Sequence, residues 1–376
     1  FASQYVQSKN NGRNVLLLTA TPFTNNPLEY YSILSLVSTK ALRDRGLFNV
    51  NDFLFNFMEL TDSFELGMGG NVKLTKQVRD FKNYRQLVRL LSENISKIDG
   101  AEAGVIRPEK IRKVVKLRRT QLQADIIGKI EERIAELKGN REKAGERLAL
   151  FGRIIQTTLS PYSTSFYTGE LPDNKGIVEG SPKIYAMMKR IGQIHNDHPD
   201  VNQIVFSPFV ESGAKNLNYH TLMRDYLIKE VGYKAGEVAI INGTVDNDSR
   251  ADIQKGFNEG RIKIIIGSDA IARGIDLQVH TTDIHLLQLP WNYEDLRQIS
   301  GRAWRQGNRY KNVRIHEYLI ENTGDVFISQ KLGTKEARSK NLFSFKMTGE
   351  NKMDAGLISF DDIKTSLITD PKKRLE

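Results

Sequence analysis

Ile262-Lys263-Ile264-Ile265-Ile266-Gly267-Ser268-Asp269-Ala270-Ile271-Ala272-Arg273-Gly274-Ile275-Asp276 decides the fold. Residues 262–267 form a short, nearly unbroken apolar run, the mark of a strand buried on both faces. The run stops at Gly267-Ser268-Asp269, which predicts a tight turn at the carboxyl edge of a parallel sheet, where open α/β folds bind ligands. Working outward, the pattern repeats. Strands are predicted at 203–207, 238–241, 284–289 and 313–319, and helices at about 183–195, 214–231, 247–258 and 293–301. Strands alternating with helices of this length predict an α/β fold with a doubly wound parallel sheet.

Upstream the signals are more mixed. Residues 14–18 are apolar and run into Thr19-Ala20-Thr21-Pro22, which predicts a buried parallel strand that meets a loop. Pro27 enters a helix with Leu28, Tyr31, Leu34 and Leu36 among its apolar positions. Helices are predicted over 48–66 and 77–98, separated by Gly67-Met68-Gly69-Gly70. Residues 111–119 alternate apolar with basic, as an edge strand with one solvated face does. A helical hairpin follows over about 121–150, then a linker rich in Pro, Ser, Gly and Asp over 160–182. The expected division is 1–110, 111–180, 181–345 and a polar tail at 346–376.

At roughly 150 residues per domain, 376 residues make about two domains. Lys+Arg is 55 and Asp+Glu is 45, a net charge of +10, which favours a polyanionic partner such as nucleic acid. The absence of cysteine excludes disulfides, thiolate metal sites and cysteine nucleophiles. It also suits a reducing cytoplasm, the expected location. No apolar run approaches the ~20 residues of a membrane span, so no membrane partner is expected. The six histidines show no metal-ligand spacing; His195 and His198 sit three apart beside Asp197 and Asp200 and read as solvated. No metal site is assigned.

The sharpest chemistry lies in Gln298-Ile299-Ser300-Gly301-Arg302-Ala303-Trp304-Arg305-Gln306-Gly307. Two arginines three apart on a helix starting near Tyr293 project to one face. Arginine's planar, permanently charged fork suits spread phosphate charge and stabilises the phosphoryl-transfer transition state. The competing reading of a lone Arg-x-x-Arg is a basic helix face on a basic protein.

This segment resembles motif VI of superfamily 2 helicases, and other motifs follow in chain order. Val205-Phe206-Ser207 resembles motif IV. Ile240-Ile241-Asn242-Gly243, then Arg250 and Phe257-Asn258-Glu259-Gly260, resemble the family's strand-Gly, Arg and Phe-Asn sequence. Gly267–Leu277 resembles motif V. Pro290-Trp291-Asn292, Ser181-Pro182-Lys183 and Leu16–Pro27, which resembles motif III, point to the Snf2-like branch. The resemblance covers about 14–36 and 181–320. It implies a RecA-like lobe 2 over 181–345, preceded by the end of lobe 1 and a helical insertion.

The resemblance also implies roles. Arg302 and Arg305 would be arginine fingers, Arg305 on the γ-phosphate, with Gln298 orienting them. Gly274, Asp276 and Gly301 would line the nucleotide cleft, Asp276 accepting from ribose hydroxyls. Ser207, Asn242, Gly243 and Ser268 would follow the nucleic-acid backbone. Thr19 and Thr21 would couple the two sites. Each has a plainer reading: a turn or N-cap aspartate for Asp276, turn glycines for Gly243 and Gly274, strand-end capping for Thr19 and Thr21. Trp291 and Trp304 read as packing residues before base-stacking platforms.

No Gly-x-x-x-x-Gly-Lys-[Ser/Thr] phosphate loop (Walker A) occurs, since Gly128-Lys129 lacks the upstream glycine, and no Asp-Glu magnesium pair (Walker B) precedes the motif III segment. The chain is therefore expected to be a fragment, inactive alone, whose ATP and Mg²⁺ ligands lie mainly in the upstream remainder of lobe 1. The expected function is the C-terminal motor portion of an ATP-dependent translocase on DNA, duplex and sequence-tolerant. The alternatives are a non-catalytic nucleic-acid-binding or assembly module on the same fold, and an RNA helicase. The look also resembles the helicase part of phage and mobile-element proteins that join a DNA methylase to a helicase, as in phage antirestriction proteins.

Overall fold

The computed structural model describes residues 2–19, 28–66, 72–96, 98, 100, 102–137, 143–212, 216–272, 274–290, 293–326, 328–330 and 332–333. The expected tail at 346–376 lies outside them, as do Thr21, Arg273, Trp291 and Asn292.

The first body is small and helical with one hairpin. It comprises α1 (Ala2–Lys9), α2 (Leu28–Val37), α3 (Thr39–Arg43), α4 (Val50–Phe57), β1 (Met58–Leu66), β2 (Val72–Phe81) and α5 (Tyr84–Asn94). Its core gathers Tyr30, Leu34, Phe53, Phe57, Leu87 and Leu91. Gln7, buried, ties α1 to the end of α2: its amide donates to Ser35 O and Leu36 O, and its Oε1 accepts from the Thr39 amide at 2.7 Å. Asn49 caps α4 in a reciprocal box with Asp52.

Three expectations fail in this body. The helix over 48–66 ends at Phe57, where Met58 turns extended and starts a strand. The helix over 77–98 shrinks to Tyr84–Asn94, because residues 72–81 pair antiparallel with 58–66, Met58 opposite Phe81 and Leu66 opposite Val72. Met58, Leu60, Phe64 and Leu66 share one parity, so the run fits a period of two as well as a helical one. Residues 14–18 form no strand, and Leu16 and Leu18 are 81% and 88% exposed. A strand borrows its hydrogen bonds from neighbours, and no strand among the described residues flanks this one.

The second body is the predicted α/β unit. It contains β3 (Glu109–Leu117), α6 (Gln121–Glu136), α7 (Ala144–Leu159), α8 (Asn174–Glu179), α9 (Pro182–Asp197), β4 (Asn202–Phe206), the short pair β5 (Glu211–Ser212) and β6 (Leu217–Asn218), α10 (Tyr219–Tyr226), β7 (Val238–Ile241), α11 (Asn247–Asn258), β8 (Ile264–Gly267), β9 (Thr281–Leu286), α12 (Tyr293–Ser300) and β10 (Asn312–Ile320). Six strands pair in the order β3-β10-β9-β4-β8-β7, all parallel. In β8 the alternation sends Ile264 and Ile266 to the core under α9 and α10, and Ile265 to the core under α11 and α12. Among the described residues, no helix is long and apolar enough to cross a membrane.

The edge-strand expectation at 111–119 holds, with a consequence for the division of the chain. β3 belongs to this sheet, so the sheet takes its first strand far ahead of the expected lobe start at 181. The expected linker at 160–182 is a packed segment: Pro161, Tyr162, Ser163 and Thr164 are buried and α8 follows. The helix expected over 214–231 starts only at Tyr219, because β5 and β6 pair first, and ends in a π turn at Leu227–Val231.

Two buried polar groups of contacts staple this body. Lys183, fully buried, places Nζ 2.6 Å from Asp325 Oδ2 and 3.2 Å from Thr158 Oγ1, joining α9, α7 and the segment after β10. Asp325 Oδ2 also accepts from the Ile320 amide at 2.9 Å. Across β9 and β10, Asp283 takes a bidentate pair from Arg314 and lies 2.6 Å from His316 Nε2. His285 bridges Tyr318 Oη and Gln203 Oε1, each at 2.9 Å.

Candidate functional site

The structure splits the sequence-predicted residues between the two ends of the sheet. Ser207, Asn242, Gly243 and Ser268 follow β4, β7 and β8 at their carboxyl ends. The amides of Ser207 and Ser268 extend the ladder, donating to Gly267 O at 2.9 Å and Ile241 O at 3.2 Å. Ser207 is buried, its hydroxyl donates to Phe209 O at 3.1 Å, and its carbonyl lies 3.0 Å from His220 Nε2. It therefore shapes the loop, and its hydroxyl is already engaged. Asn242 folds its own turn, Oδ1 accepting from the Thr244 amide at 3.0 Å and hydroxyl at 2.7 Å. Gly243 is exposed, and a Cβ there would meet nothing within 4 Å, so packing does not demand the glycine.

Arg302, Arg305, Gly274 and Asp276 converge elsewhere. The chain leaves β8 at the carboxyl edge but runs back before Asp276. Asn258, the last residue of α11, donates to Asp276 O at 2.8 Å. Its neighbour Phe257 accepts at its carbonyl from the side chain of Asn202, the first residue of β4. Asp276 thus lies on the amino side of the sheet, which corrects the expectation that this turn stays at the carboxyl edge. Gly274 needs its glycine, with φ at +65°.

The arginines also sit differently from the prediction. α12 ends at Ser300, and Arg302 and Arg305 ride on the tight turns that follow. Gly301 permits this: a Cβ there would stand 3.1 Å from Arg297 O and 3.4 Å from Gln298 O. The two guanidiniums still share a target. Arg302 Nε donates to Gln298 O at 3.2 Å and its Nη1 donates to Ile275 O. Arg305 pairs through Nη1 with the Asp276 carboxylate, both side chains about half exposed at 52% and 48%. Burial, then the charge of Arg305, lowers the Arg302 pKa against the pull of Asp276; the group stays protonated at neutral pH. Gln298 touches Arg302 through its backbone carbonyl, which accepts from Arg302 Nε.

Four supporting residues were not among the predicted site residues. Arg250 donates to Ala270 O and leaves a buried Nε without a partner. Asn258 holds Asp276 O and has a buried Oδ1 without a partner. Asn308 fixes the turn by donating to Thr281 O and Ala303 O. Trp304 packs: its indole N–H donates to Pro108 O at 2.8 Å, and Arg107 and Lys110 lie over the ring at 5.1 and 4.9 Å. The sequence signals for Arg250 and Asn258 were present in the Arg and Phe-Asn pattern but carried no assigned role.

Thr19 closes the 13–19 segment, which is neither helix nor strand, and Thr21 lies outside the described residues, so the coupling pair stays an expectation. His195 is half buried and stacks on Tyr233 at 4.0 Å, where a solvated ring was expected. Among the described residues no three His, Cys, Asp or Glu side chains cluster as a metal site.

Residues 185–307 match the helicase conserved C-terminal domain. A putative ATP-dependent RNA helicase of Acanthamoeba polyphaga mimivirus is 23% identical over 337 residues, covering 84% of this chain and 54% of that protein. Defense against restriction protein B of Escherichia phage P1 is 39% identical over 79 residues, 21% of this chain and 4% of that protein. The chain thus spans about half the length, or less, of these relatives. Among solved structures, the Sulfolobus solfataricus SWI2/SNF2 ATPase core domain aligns over 91% of this chain and 62% of its own, at 18% identity and a TM-score of 0.49.

Proposed function

Residues 185–307 being a helicase conserved C-terminal domain, we propose that this chain is the C-terminal motor portion of an ATP-dependent translocase acting on duplex DNA. The observation that supports it is the convergence of Arg302 and Arg305 on Ile275-Asp276. Two permanent cations in one cleft wall suit the charge that develops on a transferring phosphoryl group. Arg302, half buried and donating to two carbonyls, is the fixed member. Arg305 is held by an exposed ion pair worth at most ~1 kcal/mol, so it can exchange Asp276 for a γ-phosphate at little cost. Asp276, once released, can accept from ribose hydroxyls.

The donor set fits nucleotide phosphates. It offers Mg²⁺ only Asp276, already paired with Arg305, so the metal's ligands are assigned to a companion half-lobe. Residues 14–19 are the proposed join to that half. Their exposed leucines would become a strand of its parallel sheet, with Thr19 and Thr21 at the strand's end near both sites. The division that suits this reading is an end of lobe 1 within 1–95 and a lobe 2 that begins with β3. Ser268, Asn242 and Gly243 at the carboxyl ends would face the nucleic-acid backbone.

The mimivirus relative carries the name of an RNA helicase, which makes RNA the second reading. The test measures ATP hydrolysis by the chain joined to a phosphate-loop half-lobe, with duplex DNA, single strands or RNA as activator. Arg305→Ala should lower turnover by roughly 10³-fold or more and leave duplex binding within about threefold. Equal loss of DNA binding would remove the finger role, and activation by RNA alone would replace the DNA reading.

A further inference from the structure

The chain's positive charge is not spread evenly. Between Arg107 and Arg119 there are seven cations and one carboxylate, a net +6 out of +10 for all 376 residues. This segment is β3 with its flanks, and β3 is an edge strand of the sheet. Arg107, Lys110, Arg112, Lys113, Lys116, Arg118 and Arg119 are all exposed or about half so.

Some of these cations have structural work. Arg112 grips Glu317 in a bidentate pair at 2.6 and 2.7 Å and Ser329 Oγ at 2.7 Å. Arg107 and Lys110 lie over Trp304. Lys113, Lys116, Arg118 and Arg119 form no ion pair among the described residues. They run along the strand toward its carboxyl end.

Edge strands often carry charge to block pairing with other chains. That purpose alone explains the pattern poorly. The opposite edge, β7, reads Val-Ala-Ile-Ile and carries no charge at all. A guard also needs no single sign, whereas this edge is basic almost throughout. A single-signed stripe is what a polyanion requires. Successive side chains alternate between the two faces of a strand, so Lys113 and Lys116 flank the open edge from its two sides, and Arg118 and Arg119 follow just beyond Leu117.

We infer that β3 and its carboxyl flank form a second nucleic-acid surface, on which Lys113, Lys116, Arg118 and Arg119 follow the phosphate backbone of duplex DNA. The basic segment starts with Arg107 and Lys110 over Trp304 and ends past Leu117 at the carboxyl edge of the sheet. It lies five strands away from Asn242 and Gly243, which follow the opposite edge strand. Backbone contacts of this kind give affinity and salt dependence without sequence preference. The inference rests on the nucleic-acid part of the proposed function and is independent of its ATPase part.

The test uses this chain without nucleotide. Anisotropy of a labelled mixed-sequence 30-bp duplex is followed from low to high salt. Lys113→Gln, Lys116→Gln, Arg118→Gln and Arg119→Gln together should weaken binding at least ~10-fold at 0.1 M salt and lower the salt slope by about 3 to 4. A matched control, Lys129→Gln, Lys189→Gln, Lys229→Gln and Lys255→Gln, removes the same charge elsewhere and should change the slope by less than about 1. Equal losses in both variants, or none in the first, overturn the inference.

A second measurement needs no variant. Limited acetylation of the unaltered chain should show Lys113 and Lys116 protected by duplex DNA while Lys129 and Lys189 stay reactive. Protection by polyglutamate but not by the duplex would overturn it in favour of an acidic protein partner. Hydrolysis assays play no part, so failure of the motor reading and failure of this surface are told apart.

Discussion

Val15-Leu16-Leu17-Leu18 and Ile264-Ile265-Ile266 are apolar runs of the same kind with opposite fates. The isoleucines are 0% exposed inside a six-stranded sheet, one strand in from its β7 edge, whereas Leu16 and Leu18 are 81% and 88% exposed and lie in no sheet. β-branching favours the isoleucines for a strand by a small margin, and the larger difference lies in their neighbours. β8 has β4 on one side and β7 on the other, with helices over both faces. The 14–18 run has no strand beside it among the described residues. A strand is thus a property of its neighbours, which the second body supplies to β8 and the described residues do not supply to 14–18.

The hardest way to break the contrast is to remove a staple of the second body. Asp325→Ala should cost about 3–5 kcal/mol, because it strands the buried Lys183 ammonium and leaves the Ile320 amide unpaired. Burial already pushes the Lys183 pKa down against the pull of Asp325, so the lost carboxylate has no substitute. Urea unfolding reads the loss. A change below 1 kcal/mol would mean that water reaches Lys183 and that the second body is looser than its packing.

Next comes the direct comparison of the two runs. Ile265→Ala should destabilise the second body by about 2–5 kcal/mol. Leu16→Ala should change the chain's stability by less than ~0.5 kcal/mol, as exposed positions do. Joining the proposed companion half-lobe should sharpen the test: Leu16→Ala would then cost as much as a core leucine. If Leu16→Ala already costs several kcal/mol in this chain, the run is packed and the contrast collapses.

The same physics sets what was legible in the sequence. β7 and α11 fall at the predicted residues, and β4, β8, β9 and β10 within a few, because strands buried on both faces read as continuous apolar runs and their helices carry caps. Asn218 and Asp246 are such caps, each accepting from the backbone at the start of α10 or α11. The β1–β2 hairpin was illegible because its apolar spacing fits two periods, and only partner strands decide between them. The meeting of Arg302 and Arg305 with Ile275-Asp276 was not legible as a place. The pairing of Arg305 with Asp276 depends on how far the chain travels after Ser268, which no local pattern encodes. Asn258 and Asn308 were missed because their work is done through backbone carbonyls of distant segments.

The smallest expected effect separates the bodies by pH. All six histidines fall in the second body and none in residues 2–94. His285 is fully buried, and burial, followed by the neighbouring His316, pushes its pKa well down, with Arg190 and Arg314 adding to this and Asp283 opposing. Its two ring nitrogens face Tyr318 Oη and Gln203 Oε1. A neutral ring can accept from the first and donate to the second. The folded protein therefore keeps His285 uncharged below pH 6.5, where the unfolded chain takes up a proton. The unfolded state then binds more protons, so stability falls as pH falls, by about 1 kcal/mol between pH 6.5 and 5.5. Asp283 acts in a lower window. Burial alone would raise its carboxyl pKa, but hydrogen bonds from Arg314 and His316 hold it below the usual range. Its contribution is full above the unfolded value near 4 and fades only below that. Burial also lowers the pKa of His220, so the wild-type slope is not due to His285 alone. The informative quantity is the difference from His285→Gln, measured as urea stability at pH 7.5, 6.5 and 5.5. The variant should start less stable and lose about 1 kcal/mol less across the last unit. Parallel losses in both would assign the acid response to the other histidines, and an equal response from residues 2–94 alone would remove the pH distinction between the two bodies.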